Sequence, residues 1–319
     1  MDNKQKILNA LDILRIRDLS TKDKFSAIAY AKAIKELKKL DSINSLSDVE
    51  GIPGVGKKIK EKIQEILTTG SLEAATKAKT ELKIDVYQDL LKVHGIGPTK
   101  AKELIDEHKI RSIADLRSKQ ELINDVQKMG LKYYEDSLER IPREEMDEHE
   151  KRIKAIIPDS MIVGSYRRGA ETSGDIDVLI KSSETNLKDS FKNIVSSLKE
   201  QKYIVDILGL GLKKCMAYVK LNNDSKARRL DLLMTPEKEY AYAILYFTGS
   251  DTFNVAFRKY ALTKGYTLNE HGMKPTGDAK EVPLLASEKD IFKFLNLKYK
   301  EPIERINEDS VVEKKKLLK

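Results

Sequence analysis

Gly164 to Ile180 reads GSYRRGAETSGDIDVLI, with two carboxylates one residue apart running directly into an apolar strand. In a strand, residues two apart point the same way, so Asp175 and Asp177 share one face while Ile176 and Val178 turn to the core. Two adjacent carboxylates repel, and half-burial makes each charge costly. A divalent cation removes the conflict, and oxygen-only ligands suit Mg²⁺, with Mn²⁺ able to substitute. A second strand, ARRLDLLM (227–234), supplies another acid: Leu230 and Leu232 alternate with Arg229, Asp231 and Leu233. Asp231 is therefore expected on the same side. Three acids on adjacent strands can hold two Mg²⁺ about 3.5–4 Å apart, activating a hydroxyl and stabilising a leaving pyrophosphate. Gly164-Ser165 sits at a strand end, where the Ser165 hydroxyl and backbone N–H groups can meet phosphate. Arg168, and Arg140 in RIPREEM, can neutralise a triphosphate. The acid pair alone would fit a solvated turn equally well; its company argues against that.

Outward from this stretch the chain changes character. From Met161 onward come strand signals: IDVLI, YIVDILG, KCMAYVKL and ARRLDLLM. The last two flank Asn222-Asn223-Asp224, which predicts a hairpin. Residues before about 155 read as short helices. KILNALDILRIR places Ile7, Leu8, Leu11 and Leu14 on one face, and FSAIAYAKAIKELKKL places Phe25, Ile28, Ala29, Ala33 and Leu37 on another. NVAFRKYALTKG and SEKDIFKFLNLKY are helix-like, and the last dozen residues read as a frayed charged tail. The fold class expected is α+β and multidomain.

The helical half repeats itself. GIPGVGKKIKEKI (51–63) and VHGIGPTKAKELI (93–105) share a Gly-apolar-Gly turn and a lysine-rich helix start. Gly54 and Gly56 in the first copy, and Gly95 and Gly97 in the second, allow close backbone approach. The free N–H groups of the following helix attract an anion. Lys57, Lys58 and Lys60 add charge without reading bases. Two glycine-capped hairpins with solvated lysines are the alternative; duplication favours the DNA-backbone motif called helix-hairpin-helix. Carbonyls of such turns can hold Na⁺ or K⁺, with Ile52, Val55, Leu91, Val93 and Ile96 as candidates.

The chain has 319 residues, a net charge of +8 and a single cysteine, Cys215. That length suits several domains, and one cysteine excludes an intrachain disulfide. The N-terminus lacks a basic cap followed by an apolar core, and the longest apolar run, near YAYAILYF, is too short to span a bilayer. An intracellular monomer is expected, nuclear in a eukaryotic host, with a viral origin left open.

GSYRRGAETSGDIDVL, RRLDLL and LYFTGSDTFN together resemble the family X DNA polymerases, as do RIPREEM, GIGPTKAKELID, GYTLNEHGM and SEKDIFKFLNLKYKEP. The resemblance runs to about Pro302. It implies a helical lyase-like domain (1–78), a helical DNA-binding subdomain (79–138), a nucleotidyltransferase palm with a mixed sheet (139–236) and a small α+β nucleotide-selection subdomain (237–319). It implies gap filling on gapped or nicked duplex DNA from dNTP, as in base-excision repair. By the resemblance, Asp175 and Asp177 ligate both metals, and Asp231 faces the primer hydroxyl and accepts its proton. Arg140, Ser165, Arg168 and Gly174 hold the triphosphate. Tyr246, Phe247 and Gly249 pack on the sugar and exclude a 2′-OH, although both aromatic residues also fit a core. Asp251 and Asn254 touch the base, while Arg229 and Arg258 contact DNA. Lys62 becomes the Schiff-base nucleophile of a 5′-deoxyribose phosphate lyase. Departures from the family occur at Phe25, Ser26 and Glu50 in the lyase pocket, and at His271 near the nucleotide. A lyase-deficient polymerase and a different nucleotidyltransferase are the alternatives.

Overall fold

Asp2 starts the first helix by accepting a hydrogen bond from the Gln5 N–H, satisfying one of the free donors of a helix start. The computed structural model describes residues 2–81, 83–183 and 187–314. The chain divides into two units, Met1–Tyr134 and Glu135–Lys319.

The first unit is helical: α1 (Asn3–Ser20), α2 (Lys24–Leu37), α3 (Lys57–Thr69), α4 (Glu73–Glu81), α5 (Ile84–Lys92), α6 (Pro98–Asp106), α7 (Ile113–Ser118) and α8 (Asp125–Lys132); α9 (Tyr134–Leu138) crosses the boundary. Ile7, Leu8, Leu11 and Leu14 are buried, as the periodicity of α1 predicts. The face expected of α2 is corrected. Its buried stripe is Ala27, Tyr30, Ala33, Ile34 and Leu37, while Phe25 is 89% and Ile28 65% exposed and Ala29 is exposed. The 3.6-residue period allows either phase here, and contact with α1 selected the phase carrying Tyr30 and Ile34.

The two sequence repeats form the same turn. Val55 N–H donates to the Ile52 carbonyl at 3.0 Å, and Ile96 N–H donates to that of Val93 at 3.1 Å. Gly54 (φ 87°) and Gly95 (φ 85°) occupy the left-handed region that a side chain would strain. The helix after each turn begins on Gly56 or Gly97. Helix α8 braces the second turn: Gln127 Nε2 donates to the Gly95 carbonyl at 2.8 Å. A Cβ on Gly130 would lie 2.4 Å from the His94 carbonyl oxygen.

The second unit contains β1 (Ile141–Pro142), α10 (Arg143–Ile156), β2 (Ser160–Ile162), α11 (Gly164–Arg167), β3 (Thr172–Ser173), β4 (Ile176–Ser182), α12 (Leu187–Glu200), β5 (Ile204–Leu210), β6 (Lys214–Val219) and β7 (Arg228–Pro236). Then follow α13 (Glu237–Thr248), α14 (Asp251–Thr263), β8 (Tyr266–Asn269), β9 (Gly272–Pro275) and α15 (Glu288–Phe294). Five strands form a mixed sheet in the order β2-β4-β7-β6-β5, with β4 and β7 parallel and the other pairs antiparallel. The fold class is thus α+β. Strands β6 and β7 pair antiparallel across the Asn222-Asn223-Asp224 connection. One sheet face buries Ile176, Val178, Leu230 and Leu232 against Phe191, Val195 and Leu198 of α12 and Met146 and Ile153 of α10. Leu179 meets Ala243 and Ile244 of α13. A separate aromatic core joins Phe253, Phe257 and Phe292.

The tail expectation is also corrected for its described part. Lys298 N–H donates to the Val312 carbonyl at 2.8 Å, Lys314 N–H to that of Asn296 at 2.9 Å, and Val311 packs on the aromatic core. Residues 315–319 lie outside the described residues. Among the described residues, no helix is long and apolar enough to cross a membrane.

Candidate active site

Strand alternation places the acids. On β7, Arg228, Leu230 and Leu232 are buried, and Arg229, Asp231 and Leu233 face the other way. Asp177 of β4 is the direct register partner of Asp231 across the parallel pair. Residues distant in sequence thus bring two carboxylates side by side. Burial, reinforced by the neighbouring Asp231 charge, pushes the Asp177 carboxyl up to about 6. The Asp177 carboxylate also lies under Gly164, where a Cβ would stand 2.9 Å from its Oδ2. That stretch follows the end of β2, as expected, and forms the four-residue helix α11, with the Ser165 hydroxyl 3.0 Å from that of Ser173.

The other acid of the opening stretch is Asp175. Asp175 lies just before β4 and is hydrogen-bonded to the Arg229 guanidinium. Arg229 Nε also lies 3.9 Å from Asp231 Oδ1, and Lys214 Nζ 3.9 Å from Asp231 Oδ2. Arg229, expected on DNA, thus lies between two of the acids, a guanidinium countercharge to both. Among the described residues, no three His, Cys, Asp or Glu side chains converge as a metal cluster. The Asp177–Asp231 pair nevertheless fits a divalent cation. Asp231 Oδ1 is buried with no hydrogen-bond partner, and burial and the Asp231 charge hold the Asp177 carboxyl above its ordinary value although Lys214 and Arg168 partly offset them. Lys214 was not anticipated; its sequence signal was only its place at the start of a strand.

The phosphate candidates are partly engaged elsewhere. Arg140 donates to the Thr172 hydroxyl at 2.6 Å and to its carbonyl at 2.7 Å, beside Gly174, whose added Cβ would lie 3.7 Å from Arg140 NH1. Arg168 donates to the Thr248 carbonyl at 2.5 Å. Tyr246, Phe247 and Thr248 form the last turn of α13, and Gly249 caps it. The Tyr246 and Phe247 rings meet edge to face at 5.1 Å, and Phe247 also packs on the β4–α13 cluster. The core alternative therefore holds in part for Phe247. Asn254 donates to the Tyr246 carbonyl at 2.7 Å, and Tyr246, Asn254 and Arg258 line one small cavity. Asp251 is exposed at the start of α14. His271 pairs with Glu239 at 2.9 Å.

In the first unit, Lys62 lies at the margin of the buried Ile59–Ile63–Ile66 face of α3, with Nζ 3.3 Å from the Lys58 carbonyl. Lys57 and Lys58 are exposed, but Lys60, expected to face phosphate, is bound to Glu50 at 2.5 Å. At the hairpins, the Ile52 and Val93 carbonyls already accept the turn hydrogen bonds; Val55 and Ile96 are buried, and Leu91 is half-buried. Ser26 N–H is capped by Asp23 at 3.1 Å.

A mixed sheet with paired acids at adjacent strands, preceded by duplicated hairpins, defines a nucleotidyltransferase-type architecture. The chain belongs to the family X DNA polymerases. Four family models match in succession: "Helix-hairpin-helix domain" over 2–72, "Fingers domain of DNA polymerase lambda" over 88–138, "DNA polymerase beta palm" over 140–237 and "DNA polymerase beta thumb" over 243–306. The chain is 35% identical to DNA polymerase lambda of Rattus norvegicus over 307 residues, 89% of this chain and 53% of that protein. It is 31% identical to DNA polymerase lambda of Arabidopsis thaliana, over 88% of this chain and 58% of that one. It is 30% identical to DNA nucleotidylexotransferase of Xenopus laevis, over 95% of this chain and 68% of that one. The chain spans little more than half the length of the two lambda relatives.

Proposed function

We propose that this protein is a template-directed DNA polymerase that fills short gaps during repair, adding a nucleotide from dNTP to a primer 3′-OH. The observation that carries the reading is the Asp177–Asp231 pair, in register on parallel strands, with Asp231 Oδ1 buried and without a hydrogen-bond partner. Asp175, Asp177 and Asp231 would hold divalent cations, Mg²⁺ or Mn²⁺, whose chemistry is to lower the pKa of the attacking hydroxyl and neutralise the leaving pyrophosphate. Asp231 would accept the proton of the primer hydroxyl. Arg229 engages one Asp175 oxygen, which leaves the other for a cation. Arg168 and the Ser165 hydroxyl orient the triphosphate, and the Tyr246–Gly249 helix end faces the sugar. The hairpin turns grip duplex backbone through N–H groups, with Na⁺ or K⁺ on their carbonyls. The single cysteine suits an intracellular site of action.

Primer extension on a one-nucleotide gap, with and without a 5′-phosphate, tests the reading. Incorporation restricted to the templated nucleotide is expected; addition only to single-stranded RNA would assign the chain to another nucleotidyltransferase activity.

A lyase activity at Lys62 is the finer part of the proposal. One observation favours a lyase-deficient enzyme: Glu50 neutralises Lys60 in the pocket where a 5′-phosphate would bind. Borohydride trapping on incised abasic DNA decides between the two.

A further inference from the structure

GSYRRGA (164–170) contains two adjacent arginines, Arg167 and Arg168. Arg167 turns into a buried cluster. Its guanidinium donates to both Glu288 oxygens, at 3.1 and 2.7 Å, and to the Thr248 hydroxyl at 2.6 Å. Glu288 also accepts from Arg305 at 2.5 Å. Arg305 is fully buried, donates to the Lys300 carbonyl at 3.0 Å, and lies 5.5–5.7 Å from the ring centres of Phe253, Phe292 and Tyr299. Burial alone would raise the Glu288 carboxyl, but its hydrogen bonds and the charges of both arginines hold it below the ordinary value. One carboxylate thus pairs with two guanidinium groups, that of Arg305 fully buried.

The cluster reaches the nucleotide side through Thr248. Thr248 is fully buried, its hydroxyl donates to the Ile244 carbonyl at 2.5 Å, and its own carbonyl accepts from Arg168 at 2.5 Å. The Arg168 guanidinium lies so close to the helix end that a Cβ on Gly249 would stand 3.1 Å from NH1. Arg167 fixes the Thr248 hydroxyl, and Thr248 fixes Arg168.

We propose that Glu288 is a positioning residue for nucleotide selection: through Arg167 and Thr248 it registers the triphosphate arginine Arg168 against the sugar-facing end of α13. The proposal rests on the polymerase reading above. Its physical basis is that a bidentate guanidinium–carboxylate pair restricts orientation as well as distance. A neutral acceptor supports only part of that geometry. Sugar discrimination depends on sub-ångström placement, so a residue that touches no substrate still sets it.

The test uses the full chain on a one-nucleotide gapped duplex with two variants. Glu288→Gln removes the charge. Thr248→Val keeps shape but cuts the link to Arg167 and leaves the Glu288–Arg305 pair intact. Both should raise KM for dNTP and lower the dNTP-over-rNTP efficiency ratio by about tenfold, while gapped-duplex affinity stays at the wild-type level. A merely structural role would change melting temperature and leave the sugar ratio alone. Wild-type KM and sugar ratio in folded Thr248→Val overturn the inference, even if Glu288→Gln fails to fold. A wild type that adds nucleotides while both variants match it overturns this inference alone; a wild type that adds none overturns the polymerase reading and this inference with it.

Discussion

The hairpin turns of the first unit and the acid pair of the second place their functional groups in opposite ways. In the hairpins the proposed contacts are backbone atoms, and local sequence shapes them: an apolar residue between glycines, then a helix start. The same turn therefore appears twice with closely matched hydrogen bonds. At the sheet, the working atoms are side-chain carboxylates, and only strand pairing brings Asp177 beside Asp231. A backbone site tolerates most side-chain changes and fails when its shape is blocked. A side-chain site fails when one charge is removed, and its groups are held at a cost to the fold.

The largest expected effect is Asp231→Ala. Single-turnover incorporation should fall by at least about 10²-fold, while gapped-duplex binding persists, because affinity is assigned to backbone contacts elsewhere. A variant retaining more than a few per cent of the wild-type rate (on the order of the loss expected for one electrostatic group) would remove Asp231 from the site. In the first unit, Lys62→Ala should lose most borohydride-trapped adduct while gap filling continues. Undiminished trapping would move the nucleophile to another lysine, and no trapping by the wild type would establish that Phe25, Ser26 and Glu50 have abolished the lyase.

Gly130→Ala tests the brace behind the second hairpin. Its Cβ collides with the His94 backbone, so chemical denaturation should show a loss of about 1–3 kcal/mol; an unchanged midpoint would mean the turn can shift freely. Asp177→Asn should do the reverse for the metal-free protein. The folded Asp177 titrates near about 6 against an ordinary 3.8, so between those values the folded state binds the proton more tightly. Stability falls as pH rises through that window, and the cost is fully present above it. With chelator at pH 8 the variant should be more stable, by an amount on the order of 3 kcal/mol, and the gain should shrink as pH falls toward 4. A gain independent of pH would assign it to something other than the charge.

The smallest effect separates shape from contact. A Cβ on Gly97 meets nothing within 4 Å, and its φ of −92° suits any residue. Gly97→Ala should therefore stay within about 0.5 kcal/mol of wild type yet weaken gapped-DNA binding, as read by fluorescence anisotropy. Unchanged affinity would show that backbone approach at this turn is not needed.

Much was legible from local pattern alone. Alternation on β7 placed Asp231 opposite the buried leucines, the glycine repeat announced two equal turns, and the periodicity of α1 matched its buried face. These properties depend on the geometry of one segment, which a sequence states directly. Tertiary packing decided the rest. It chose the buried phase of α2, leaving Phe25 and Ile28 exposed, because a helix with apolar residues on two faces is settled only by its neighbour. It paired the charged end of the chain with residues 296–298. It placed Arg229 on Asp175, Arg140 on Thr172 and Lys60 on Glu50, since a long cationic side chain takes whichever countercharge or carbonyl folding brings within reach. Glu288 and Arg305 carry no local signal at all; their role exists only where three segments distant in sequence bury one carboxylate between two guanidinium groups, and no single-segment pattern encodes that encounter.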